Sequence, residues 1–141
     1  MTLDPLLQAP AAIQLHTAAA VAAFGLGIVQ LTAAKGTTRH RLLGWSWAVL
    51  MALVAASSFF IHTICTLGGF SLIHLLSIIT LVALPIGLWR AHRHDVRAHK
   101  RTMQLLFLGA LLIAGAFTLM PGRIMHDVMF GTHGIHGSCA R

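Results

Sequence analysis

The chain has 141 residues, of which 57% are hydrophobic and 9% charged, with a formal net charge of +7. Soluble domains carry about 25% charged residues, so a soluble surface is excluded, and the apolar richness excludes disorder. Two cysteines exclude a disulfide-dense scaffold, and the basic residues fall in short clusters between apolar runs, a pattern of membrane topology and not of nucleic-acid binding.

Four apolar runs follow in chain order, at about residues 11–34, 42–67, 70–89 and 102–120. About 20 residues cross a bilayer core as a helix, and a helix satisfies its own backbone in lipid. No period-two alternation supports barrel strands. The first run is too long for a signal peptide and has no basic region ahead of it, so it reads as a retained helix. The turns Lys35-Gly36-Thr37-Thr38 and Thr66-Leu67-Gly68-Gly69 are short. Short links make consecutive helices antiparallel neighbours, which predicts an all-α, up-down four-transmembrane-helix bundle. Residues 1–131 form this one domain, and residues 132–141 a polar His/Gly tail. Pro85 falls inside the third helix and is expected to kink it; Pro121-Gly122 ends or bends the fourth.

The charges orient the bundle. Lys35, Arg39 and Arg41 lie between helices one and two, and Arg90, Arg93, Arg97, Lys100 and Arg101 between helices three and four. Only Arg123 and Arg141 lie on the other side. The positive-inside rule puts both basic loops in the cytoplasm and both termini outside.

Ten histidines among three acidic residues are the unusual feature. His16, His62, His74 and His126 form an outer layer, one per helix. His40 ahead of helix two, and His92, His94 and His99 ahead of helix four, form an inner layer. With a 3.6-residue period, His16 shares a stripe with Ala20, Ala23, Gly27 and Gln30. His62 shares one with Gly44, Ala48, Met51, Ala55 and Ser58, and His74 lies with Ser77. Small and polar residues face the bundle interior, and ionisable groups within a membrane are functional candidates.

Neutral imidazole suits haem iron, copper and zinc. In an up-down bundle helices one and three are diagonal, as are two and four. His16 with His74 makes an outer diagonal pair and His40 with His99 an inner one, the arrangement of bis-His b-type haems. Ala20, Ala23 and Gly27 below His16 leave room for a porphyrin. His16 and His40 are roughly 36 Å apart along a helix, which favours one haem over two. Copper or zinc is the alternative, with His16, His62, His74 and His126 as a four-nitrogen set and Met120, Met125 and Met129 nearby for Cu(I). The tail residues His133, His136 and Cys139 are spaced to bind a divalent metal, with a disordered tail as the alternative, and Cys65 and Cys139 could form a disulfide. Asp127 stands beside His126 as an acceptor for its ring. No phosphate-binding loop, paired carboxylates or tyrosine argues for catalysis, and the chain reads as leaning away from an enzyme.

Several strings together resemble a bacterial membrane family known as domain of unknown function 2306 (DUF2306). They are Lys35-Gly36-Thr37 with His40-Arg41 and Gly44-Trp45; Ser57-Ser58-Phe59 with Phe70-Ser71-Leu72-Ile73-His74 and Leu76-Ser77; and Ala98-His99-Lys100-Arg101-Thr102-Met103 with Phe117-Thr118-Leu119 and Pro121-Gly122-Arg123. The likeness runs from about Leu15 to Gly131. It implies a four-helix, multi-pass protein of the bacterial inner membrane and no particular activity. The functional expectation is therefore a His-ligated b-type haem or metal site near the outer face, serving electron transfer. The alternative is an accessory subunit packed against a larger membrane redox complex, or a homo-oligomer.

Overall fold

The computed structural model describes residues 4–60, 72–119 and 128. Four helices dominate, and among the described residues no strand occurs. After a single turn at Asp4–Leu7, α1 spans Ala11–Thr32, α2 Thr38–Ser57 and α3 Leu72–His92. The fourth, α4, runs through Val96–Thr118. All four are long and apolar enough to cross a membrane. Consecutive helices pack side by side, and the middle of α4 returns against α1, which closes an up-down four-helix bundle.

Two helices begin earlier than their apolar runs. Thr37 caps α2, its hydroxyl accepting the His40 N–H at 3.1 Å. Asp95 caps α4, its Oδ1 accepting the Ala98 N–H at 3.1 Å. Such caps satisfy first-turn donors that otherwise have no partner. His40 and His99, expected ahead of helices two and four, consequently lie within their first turns.

The link between α3 and α4 is a Schellman turn. The His94 N–H reaches the Ala91 carbonyl at 3.1 Å, and the Asp95 N–H reaches that of Arg90 at 3.0 Å. His94 supplies the left-handed residue, with φ 61°. Pro85 sits within α3, where its missing N–H leaves the Leu81 carbonyl without its usual donor. In α4, Phe107–Ile113 winds as a π-helix, a wider form with i→i+5 bonds.

The core packs large side chains against small ones. Ala23, Trp47, Ala48, Met51, Leu84, Leu106, Phe107 and Leu111 are buried in one cluster. Trp47 Nε1 donates to the Ala23 carbonyl at 3.0 Å, which satisfies the indole in an apolar interior. Phe107 stacks on Phe24 with centroids 5.7 Å apart. A Cβ on Gly27 would strike the Phe107 ring, so glycine is what lets α1 and α4 approach. The space beneath His16 that the sequence suggested for a porphyrin is thus taken up, from Ala23 to Gly27, by Trp47 and Phe107.

Candidate functional site

The stripes on α1 and α2 do face the interior. Ala23, Gly27, Ala48, Met51, Ala55 and Ser58 are buried, and His16, Ala20, Gln30 and Gly44 are half-buried. Each end of the bundle then carries a polar cluster containing histidine.

At one end, two adjacent serines close α2. His16 Nδ1 lies 2.8 Å from Ser57 Oγ, and Ser77 Oγ lies 2.6 Å from Ser58 Oγ. A serine hydroxyl has one proton to give. Ser57 directs its proton to the Val54 carbonyl at 3.1 Å, and Ser58 Oγ lies 2.7 Å from that of Ala55. With its proton directed to Val54, Ser57 accepts from His16 Nδ1, whereas either hydroxyl can donate in the Ser58–Ser77 contact. A neutral His16 ring then carries its proton on Nδ1 and presents Nε2 as an acceptor. His74 is buried, with its ring 5.6 Å from that of Phe59. This seam ties α1, α2 and α3 together by side-chain hydrogen bonds. Ser58 and Ser77 were visible in the helical stripes; Ser57 was not, because it stands one residue off the stripe.

At the other end lie Lys35, Arg39, Arg41, Arg90, Arg93, Arg97, Lys100 and Arg101, all exposed except the half-buried Arg90. His99 Nδ1 is 2.8 Å from the Gly87 carbonyl. A carbonyl only accepts, so Nδ1 carries the proton and Nε2 is the free acceptor of the neutral ring. A Cβ on Gly87 would meet Thr102 and Met103 of α4, and its absence brings the His99 ring to the α3 backbone. His40 lies within electrostatic reach of His99, and its Nδ1 is buried without a partner, as is Gln30 Oε1. Gln30 Nε2 donates to the His40 carbonyl at 2.9 Å. A groove of about 600 Å³, lined by Val29, Ala33, Thr37, Arg39, His40 and Leu43 among others, opens beside this ring. The partner of His99 is thus a helix carbonyl that has room for it because residue 87 is glycine.

His92 and His94 are exposed. Of the proposed metal set, His62 and His126 lie outside the described residues, as do Cys65, Met120, Met125, Asp127, Met129, His133, His136 and Cys139. Among the described residues no group of three or more His, Cys, Asp or Glu comes together to hold a metal ion.

Four apolar helices with polar seams at both ends and one strongly basic end define a multi-pass α-helical membrane protein. The chain belongs to the family described as "Predicted membrane protein (DUF2306)", whose model matches residues 13–136. No curated protein and no solved structure matches it.

Proposed function

We propose that this membrane protein holds a His-ligated redox cofactor, a b-type haem, with His16 and His74 as the ligand pair, and passes electrons through it. The observation that carries the reading is the contact of His16 Nδ1 with Ser57 Oγ at 2.8 Å. Histidine ligands almost always donate their other ring N–H to an acceptor, which fixes the tautomer and aims the free nitrogen. His74 enters from α3, diagonal to α1. Trp47 and Phe107 fill the bundle beneath, so on this reading the cofactor would be held at the level of the serine seam and not down the small-residue stripe. When bound, the haem supplies the one-electron chemistry. His16 and His74 would hold its iron, and the surrounding residues would set its electrostatics. Copper or zinc at the same histidines, completed by His62 and His126, is the alternative cofactor.

A second reading rests on the unpartnered His40 Nδ1. It places the cofactor at the basic end, between His40 and His99, where Arg39, Arg41, Lys100 and Arg101 suit haem propionates. An absorption spectrum of the detergent-purified protein, with metal analysis, tests both. A Soret band lost in His16→Ala and His74→Ala but kept in His40→Ala and His99→Ala supports the first reading. The reverse pattern supports the second. A colourless, metal-free protein from cells supplied with haem and metals removes both and leaves the accessory subunit of a larger membrane complex.

A further inference from the structure

Arg90 of α3 and Arg97 and Arg101 of α4 line one cavity of about 350 Å³, with Asp95 and Ala98 completing the lining. Arg97 and Arg101 are one helical turn apart on the same face of α4. Arg90 reaches them from the other arm of the hairpin and is held in place. Its Nη1 donates to Thr102 Oγ1 at 2.8 Å, and Thr102 passes its own proton to the Ala98 carbonyl at 2.9 Å. The carboxylate in the lining, Asp95, accepts the Ala98 N–H at Oδ1 and offsets one of the three charges. Three guanidiniums therefore share a space with one engaged carboxylate. The lining keeps a net positive charge, which favours an entering anion.

The neighbouring arginine is used differently. Arg93 stacks over the Trp89 ring at 4.8 Å, and Trp89 itself is exposed. Exposed tryptophan at the end of a membrane-spanning helix marks the headgroup level. The cavity lies just beyond it, within reach of lipid phosphate. Arginine forks bind phosphate in a bidentate manner.

We infer that Arg90, Arg97 and Arg101 form a binding site for the phosphate of an anionic phospholipid headgroup. The site does not depend on a cofactor and shares only Arg101 with the second cofactor placement above.

The experiment follows the unfolding midpoint of the full chain in detergent, titrated with phosphatidylglycerol, phosphatidylcholine or inorganic phosphate. Phosphatidylglycerol is expected to raise the midpoint saturably, and phosphatidylcholine to leave it in place. Arg97→Gln with Arg101→Gln weakens the half-saturation by about tenfold or more. Arg39→Gln with Arg41→Gln removes the same charge from the other basic loop and leaves it unchanged. If the Gln pair does not fold, Arg97→Lys with Arg101→Lys keeps the charge, loses the forks and still weakens binding. Equal weakening by both Gln pairs, or equal shifts with the two lipids, would overturn the inference in favour of general surface charge. Saturation by inorganic phosphate with no response to phosphatidylglycerol would overturn the lipid assignment in favour of a soluble phosphate ligand.

Discussion

His16 on α1 donates through Nδ1 to Ser57 on α2 across 2.8 Å, while the next residue, Ser58, shares a hydrogen bond with Ser77 on α3 across 2.6 Å. Successive side chains on a helix point about 100° apart, so two adjacent serines serve two different neighbours. Both also reach back to their own helix, Ser57 Oγ to the Val54 carbonyl and Ser58 Oγ to that of Ala55. The same pair that locks three helices also fixes the tautomer of the candidate ligand.

Ser57→Ala removes the acceptor of a half-buried imidazole and is expected to cost about 1–3 kcal/mol. His16→Ala removes the other half of the contact. Because the residues share one bond, the double variant should cost less than the two single losses together. Unfolding curves in one detergent measure this. Strict additivity would mean that the bond does not form. If a cofactor is bound at His16, Ser57→Ala also weakens its retention by about 10–100-fold.

Two glycines of α1 respond in opposite senses. A Cβ at Gly25 meets nothing within 4 Å, so Gly25→Ala gains helix propensity and stabilises by up to about 1 kcal/mol. At Gly27 the added carbon meets the Phe107 ring and lies 3.0 Å from Trp47 Nε1. Gly27→Ala should destabilise by about 1–3 kcal/mol. Adding Phe107→Leu should recover part of that loss. Thermal unfolding of the four proteins reads the comparison, and a stabilising Gly27→Ala would mean that α1 and α4 stand farther apart.

Much of this bundle is legible in the chain. Runs of uncharged residues announce the spans because lipid tolerates little else. The stripe of Ala23 and Gly27 against Ala48, Met51 and Ala55 announces which faces meet. The start of α4 is less visible, since Arg97, His99, Lys100 and Arg101 mask a helix that the Asp95 cap has already begun. The turn before it gives no glycine signal, because His94 takes the left-handed position. Ser57 and Gly87 were illegible for a different reason. Their roles depend on which residue of another helix stands opposite, and periodicity within one helix carries no such register. The filling of the small-residue stripe by Phe107 and Trp47 was hidden in the same way.

The orientation rests on charge alone. Eight of the ten Lys and Arg residues gather at the end holding the α1–α2 and α3–α4 links, which we propose faces the cytoplasm. A C-terminal alkaline phosphatase fusion should then be active, and a C-terminal green fluorescent protein fusion dark. The opposite pair of results would invert the bundle and exchange its inner and outer histidines. The internal hydrogen bonds would be untouched.

The α3–α4 hairpin makes a prediction about its own chemistry. Asp95 works twice: its N–H closes the Schellman turn on the Arg90 carbonyl at 3.0 Å, and its carboxylate caps α4 on the Ala98 N–H at 3.1 Å. Asp95→Ala keeps the first bond and loses the second, at a cost of about 1 kcal/mol. Asp95→Asn retains an acceptor and should cost less. His94 holds φ 61°, a conformation that costs an L-residue roughly 1–2 kcal/mol and glycine almost nothing. His94→Gly relieves that strain, although glycine also frees the unfolded chain, so the net effect should run from neutral to about 1 kcal/mol stabilising. The exposed imidazole makes no contribution to the expected ligand pairs. Its removal should therefore leave any haem or metal spectrum intact. Unfolding midpoints and spectra of the three variants decide the point. A destabilised His94→Gly would show that the ring, not the backbone angle, is what this turn requires.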